Sequence, residues 1–175
     1  GRLMDGNMRR EAIMERLRKS GVPVAGTLLA SELGVSRQVI VQDIALLRAT
    51  DKNIMSTNKG YLLFDHHKKD DSVRRVFRVK HANEQMENEL YIIVDQGAKV
   101  LDVIVEHEIY GQLSADLYLK SRSDVDEFLE ANRKSKSKPL KTLTEDVHYH
   151  TVEAKTEEIL QKVEKKLTEE GYLLS

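Results

Sequence analysis

Four side chains in the second half of this chain have the types and spacing to bind a transition metal. His148 and His150 flank Tyr149 in a β-prone run. Residues two apart on a strand leave the same face, so both imidazoles can grip one ion. His81 closes an earlier β-prone run, VRRVFRVKH, and the helical pattern after it puts Met86, Leu90, Ile93 and Val94 on one buried stripe. Glu89 falls inside that stripe. A carboxylate on an inward face loses its hydration and needs a partner cation or strong hydrogen bonds, and a metal ion is such a cation. Three imidazoles and one carboxylate form a nitrogen and oxygen donor set suited to zinc, nickel, iron or manganese, and spacing does not choose among these divalent ions. His107, which ends the second strand of this part in VEHEIYG just before the turn at Gly111, is expected first as an edge residue, and otherwise as an outer partner of the metal ligands or a small-ligand contact. His66 and His67 are neighbours in a polar run, point apart if extended, and are expected to be solvated.

The elements that must position these groups alternate. VRRVFRVKH reads as a strand and NEQMENELYIIVDQG as a helix. VLDVIVEH and LSADLYL read as two strands about a turn at Gly111, and SDVDEFLEANRKS as a helix. VHYHTVE is a further strand, and EEILQKVEKKLTEEG a last helix ending at Gly171. The order β-α-β-β-α-β-α predicts an α+β open-faced sandwich with the phosphocarrier (HPr-like) topology, which by itself carries no activity.

A second kind of chemistry lies in LASELGVSRQVIVQDIALLR, Leu29 to Arg48. Leu28, Leu29 and Leu33 form one apolar face of a short helix, and Gly34 stands where that helix must stop in a left-handed turn. Val35 fills the angle to the next helix, Ser36 is an N-cap, and Ile40, Ile44 and Leu47 repeat at the spacing of a buried stripe. The opposite face presents Ser36, Arg37, Gln38, Val41 and Gln42, which suits a recognition helix meeting base edges in the major groove of double-stranded DNA. Met8 to Ser20 is expected to supply a preceding helix through Ile13, Met14 and Leu17, with GRLMDGN outside it. After Asp51, two β-prone runs around Asn58-Lys59-Gly60 form a wing that sets Lys59 beside the phosphates.

Charge divides the chain in the same place. Residues 8–64 carry nine basic and five acidic side chains, whereas residues 65–175 carry 18 basic and 23 acidic ones. Phosphate attraction is thus concentrated in the first part. The expected organisation is a winged helix-turn-helix domain over 8–64, a linker over 65–71 (DHHKKDD) and a metal- and ligand-binding domain over 72–175. Cys is absent, which removes disulfides and thiolate metal sites. No apolar run approaches the roughly 20 residues of a membrane span, and no secretory pattern precedes the first helix. A cytoplasmic location is expected, with no membrane partner.

KHANEQMENEL, DVIVEHEIYGQL and VHYHTVEA resemble the three histidine motifs of the three-histidine (3H) domain. Preceded by a winged helix-turn-helix, that domain characterises the niacin-responsive transcriptional repressors of Gram-positive and related bacteria. The resemblance runs from about Met8 nearly to the end. It implies a regulator of NAD-precursor salvage or transport genes, with nicotinic acid as co-repressor and a divalent metal in the C-terminal domain. By the same resemblance the metal falls to His81, Glu89, His148 and His150, and His107 takes the remaining motif position as a ligand contact. Related helix-turn-helix sequences often carry Arg at the position of Val41 or Gln42, so a different base preference is expected here.

Three hypotheses follow. In the first, a homodimer places two recognition helices ~34 Å apart on a palindromic operator, and nicotinate favours the gripping arrangement. In the second, the metal itself is the signal. In the third, the histidine site activates water as a small metal-dependent hydrolase. The third is weakened by the absence of a phosphate-cradling loop, a Ser-His-Asp set or a nucleophile elbow, and Glu106 and Glu108 beside His107 have no evident partner.

Overall fold

Asp5 starts the first helix earlier than the apolar pattern suggests. In the computed structural model, which describes residues 5–50, 53–63, 71–135 and 138–174, its carboxylate accepts from Met8 N at 2.8 Å. Helix α1 therefore spans Gly6–Lys19, not Met8–Ser20, because a good cap outweighs the lack of apolar residues in the first turn. Two units divide the chain, Gly1–Lys69 and Asp70–Ser175. His66, His67 and most of the expected linker lie outside the described residues.

In the first unit, α2 (Gly26–Leu33) and α3 (Arg37–Ala49) follow α1, and strands β1 (Ile54–Thr57) and β2 (Gly60–Leu63) form an antiparallel hairpin. Leu29 and Ala30 are the inward residues of α2, with Leu33 packed beside them. Leu28 lies a third of a turn away and is 44% exposed, so it does not share the apolar face expected of it. Gly34 takes φ 68° at the end of α2, and Ser36 caps α3 by accepting from Val39 N at 3.3 Å. Ile40, Ile44 and Leu47 are buried against Ile13, Met14 and Leu17.

Asp43 is buried on the inward side of α3 and ties it to α1. Arg9 holds its carboxylate through two nitrogens, one of them Nη2 at 3.0 Å, and Arg10 Nη1 adds a third bond at 3.1 Å. Burial pushes the Asp43 carboxyl up, but the hydrogen bonds from Arg9 and Arg10 and their charges outweigh it and leave the group below its ordinary value. A lowered folded-state value stabilises above the ordinary carboxyl range and fades as pH falls through the folded one. Asp43→Asn is accordingly expected to cost about 1–3 kcal/mol at pH 7. The gap from the parent should narrow in denaturant melts below about pH 4.

Gly60 opens the second strand of the wing with φ 135°, opposite Thr57. Its neighbour Tyr61 exchanges two main-chain bonds of 2.8 Å with Val24, which stitches the wing to the segment before α2. A Cβ on Gly60 would lie 2.3 Å from Val24 O.

The second unit runs β3 (Val73–Lys80), a 3₁₀ turn at Asn83–Gln85, α4 (Met86–Asp95), β4 (Lys99–His107), β5 (Gly111–Leu119), α5 (Arg122–Lys134), a 3₁₀ helix at Leu140–Thr144, β6 (Val147–Ala154) and α6 (Glu157–Glu169). This is the α+β, β-α-β-β-α-β-α order expected. The sheet is antiparallel throughout with strand order β3-β6-β4-β5. Alternate residues Phe77 and Val79 of β3 and Val152 and Ala154 of β6 join Leu90, Ile93, Val125, Leu160, Val163 and Leu167 in the core. The other side of β3 presents Arg74, Val76, Arg78 and Lys80, all exposed, so the sandwich is open-faced. Past Gly171, the segment Tyr172–Leu174 lies along β3: Lys80 N donates to Tyr172 O at 2.9 Å and Leu174 N to Arg78 O at 2.8 Å.

Register slips by one residue between β4 and its neighbours near Asp102. It shifts against β5 between Val100 and Asp102, where Tyr118 takes φ 53°, and against β6 between Val100 and Ile104. Bulges of this kind re-aim main-chain groups near a site.

Candidate functional site

The sheet and α4 bring His81, Glu89, His148 and His150 to one place. His148 and His150 stand opposite Val79 and Phe77 of β3 on the inward face of β6, and His81 directly follows β3. Glu89 enters from the first turn of α4, between Met86 and Ile93. All four are buried, with Glu89 0% exposed. His81 Nε2 is in direct contact with Glu89 Oε2. His148 Nε2 lies 3.3 Å from Glu89 Oε1, and His150 Nε2 lies 2.8 Å from the same oxygen. Donor atoms of His81, Glu89 and His148 all fall within 4.8 Å of one another.

The remaining ring nitrogens fix what those four groups offer. His81 Nδ1 faces Ala82 O at 2.8 Å, His148 Nδ1 faces Asp146 O at 2.9 Å, and His150 Nδ1 faces Asp102 O at 2.7 Å. A carbonyl only accepts, so each Nδ1 carries the hydrogen and each neutral ring presents a bare Nε2. Tying the outer nitrogen to a carbonyl is how metal-binding imidazoles are oriented. In the neutral rings three Nε2 lone pairs face the carboxylate, so without a cation between them at least one ring must take a second proton and donate it to Glu89.

Electrostatics repeats the point. Burial pushes the Glu89 carboxyl up, yet the charge of His150 and hydrogen bonds from His148, His150 and His81 hold it well below its ordinary value. Burial lowers His148 by more than Glu89 restores, whereas at His150 the Glu89 charge overcomes burial and raises it. An ionised carboxylate thus sits among imidazoles that resist sharing its charge equally. The donor set fits a divalent transition metal.

Three residues around the cluster were not singled out from sequence. The slip in β4 turns the Asp102 carbonyl to His150, while Asp102 Oδ1 accepts from Thr151 N at 2.8 Å. Lys141 is 2% exposed; its Nζ donates to His81 O at 3.1 Å and to Asp146 Oδ1 at 2.6 Å. Glu145 and Asp146 take φ 53° and 71°, which turns the Asp146 carboxylate toward Lys141 and its carbonyl toward His148. Lys141, one of three lysines in KSKPLKTLTEDV, has no period around it to announce its burial. Beside the cluster lies a cavity of about 160 Å³ whose walls are Met86, Leu90, Val103, Leu117 and Phe128, with Glu89, Asn132, Lys141, His148 and His150 as polar liners.

His107 is not brought to this place. It sits opposite Gly111 where β4 ends, its Nδ1 accepts from Ile109 N at 3.1 Å and Tyr110 N at 3.2 Å, and its ring stacks on Tyr110. The cavity is lined without it. The hairpin register puts His107 at the β4–β5 turn, beyond the stretch of β4 that pairs with β6.

In the first unit, Ser36, Arg37, Gln38, Val41 and Gln42 are all exposed on the N-terminal turns of α3. Lys59 is exposed at the wing turn. Ser36 also caps α3, so its hydroxyl already serves the helix.

Residues 9–62 match the HTH domain family and residues 74–175 the 3H domain family. The chain is 41% identical over 166 residues to the probable transcription repressor NiaR of Thermotoga maritima, covering 95% of this chain and 93% of that protein. It is 37% identical over 174 residues to the transcription repressor NadR of Bacillus subtilis, covering 99% and 96%. Among the described residues no helix is long and apolar enough to cross a membrane. A helix-turn-helix joined to a 3H domain, matched nearly end to end by named repressors, places this chain in the NiaR-like family of DNA-binding transcription repressors, a regulator and not an enzyme.

Proposed function

We propose that this repressor holds a divalent transition metal through His81, Glu89, His148 and His150 and senses nicotinic acid in the adjoining cavity. The convergence of three Nδ1-anchored imidazoles on the buried Glu89 carboxylate carries the reading. When bound, the metal would supply a concentrated positive charge beside the cavity. His81, His148 and His150 keep their Nε2 atoms aimed through the bonds to Ala82, Asp146 and Asp102.

The cavity supports an aromatic monocycle. An apolar hole of about 150 Å³ holds one benzene, and this one has about 160 Å³ between Leu90, Leu117 and Phe128. One carboxylate against a divalent cation leaves the site with a net positive charge, which favours an anionic ligand. In the first unit, Arg37, Gln38, Val41 and Gln42 read base edges and Lys59 meets the backbone, with Ser36 fixing the start of α3. A cytoplasmic homodimer on a palindromic operator of NAD-precursor genes is the corresponding assembly.

A second reading makes the metal alone the signal, and it rests on His81, Glu89 and His148 bringing their donor atoms within 4.8 Å of one another without a cavity ligand. Gel shifts with operator DNA, with and without nicotinate and after chelation, decide between them. Nicotinate should tighten operator binding about 5- to 150-fold, and only in the metal-loaded protein. No change with nicotinate sinks the effector reading; a response to metal regardless of nicotinate favours the second.

A further inference from the structure

We infer that Lys141 reads the carboxylate of the bound ligand, so that the cavity accepts a flat monocyclic carboxylate and refuses its neutral amide. The inference deepens the niacin reading and rests on the cavity being the effector site.

Elimination among the polar liners points to this residue. His148 and His150 commit Nδ1 to carbonyls and Nε2 to the centre they share with Glu89 and the proposed metal, and Glu89 only accepts. Lys141 and Asn132 are the donors left to address a ligand, and of the two only Lys141 carries a charge to meet a carboxylate. An ammonium has three hydrogens, and two of those on Lys141 go to His81 O and Asp146 Oδ1. A third remains, on a side chain that lines the cavity. Burying a lysine is costly, and a carbonyl and a half-exposed carboxylate offset that cost only in part. An incoming carboxylate completes the set with a charge-assisted bond. A carboxamide offers its NH₂ to an ammonium that cannot accept, or a weaker neutral oxygen.

The local backbone holds this reader to the metal ligands. Two successive residues other than glycine, Glu145 and Asp146, take the left-handed conformation. Such strain persists only where surroundings enforce it. Here the turn lets one residue, Asp146, hold Lys141 by its side chain and His148 by its carbonyl.

The test is calorimetric titration of the full metal-loaded chain with nicotinate, benzoate and nicotinamide, with metal content measured for every variant. Lys141→Met should weaken nicotinate and benzoate about 10- to 100-fold while leaving nicotinamide unchanged. Asp146→Asn keeps the cation and a side chain suited to positive φ, and should keep the preference for carboxylates. Should Lys141→Met fail to fold, Lys141→Gln, which retains a donor without charge, carries the same expectation. Equal loss of all three ligands in the Lys141 and Asp146 variants would make Lys141 a brace and overturn the inference, as would no loss in either. Parent protein that binds benzoate as tightly as nicotinate overturns the niacin reading and leaves the role of Lys141 standing. Parent protein that binds no carboxylate overturns both.

Discussion

Glu89→Gln is expected to lower divalent-metal affinity by about 100-fold or more, beyond what loss of an outer hydrogen-bond partner costs. The amide is nearly the same size as the carboxylate, so packing around α4 survives. Its oxygen is a poorer ligand, and its NH₂ can donate to an Nε2 atom that the parent leaves bare. Two melting curves separate these effects. Metal at 100 times its dissociation constant should stabilise the parent by about 2.7 kcal/mol, or roughly 10–20 °C in a unit of this size. The variant should show almost no shift. In chelator the order should reverse, with the variant at least as stable as the parent, because no ionised carboxylate is then buried among imidazoles. Metal affinity of the parent should also decline below about pH 6.5 as protons compete for the rings. A Glu89→Gln protein that binds metal as tightly as the parent would remove Glu89 from the site.

The second large effect is at the wing. Gly60→Ala puts a methyl group 2.3 Å from Val24 O and 2.6 Å from Ala25 N, both main-chain atoms that cannot swing aside. It also forces an L residue to φ 135°. Backbone strain of this kind costs about 1–3 kcal/mol before any clash is counted. The Val24–Tyr61 bonds are the first to give. A unit of about 60 residues has little stability in reserve, so a drop of about 10–20 °C in the first melting transition is expected. Operator binding should fall with it, while metal binding by the second unit stays at the parent value. A variant with unaltered melting and gel shift would show that the wing moves as a loose hairpin instead of being stitched to Val24.

What could be read from residues alone was whatever depends on near neighbours in sequence. Gly34 and Ser36 announce a turn and a cap within three residues, and the alternation of β6 puts His148 and His150 on one face whatever the register. Glu89 was legible as a charge on an apolar stripe. Asp43 carries the same signal, three residues after Ile40 and four before Leu47, and its burial between Arg9 and Arg10 could have been anticipated the same way. Asp102, Lys141 and Asp146 were not legible. Their roles come from a slip between strands and a left-handed turn, and neither leaves a periodic mark. Leu28 was misplaced because an apolar residue one step off the inward face looks the same in sequence as one on it. Motif position put His107 with the other histidines, and the hairpin carried it away.

The segment Tyr172–Leu174 has two tasks at once. It occupies the outer edge of β3, and the Tyr172 ring meets His81 edge-on with centroids 5.5 Å apart. Peeling it away bares a row of unpaired amides that can recruit a strand from another molecule. The same motion removes the wall against which His81, one of the proposed metal ligands, rests. On the proposed metal reading, aggregation and demetallation share a single point of failure, and a metal-loaded preparation that loses its ion should also be the one that clouds.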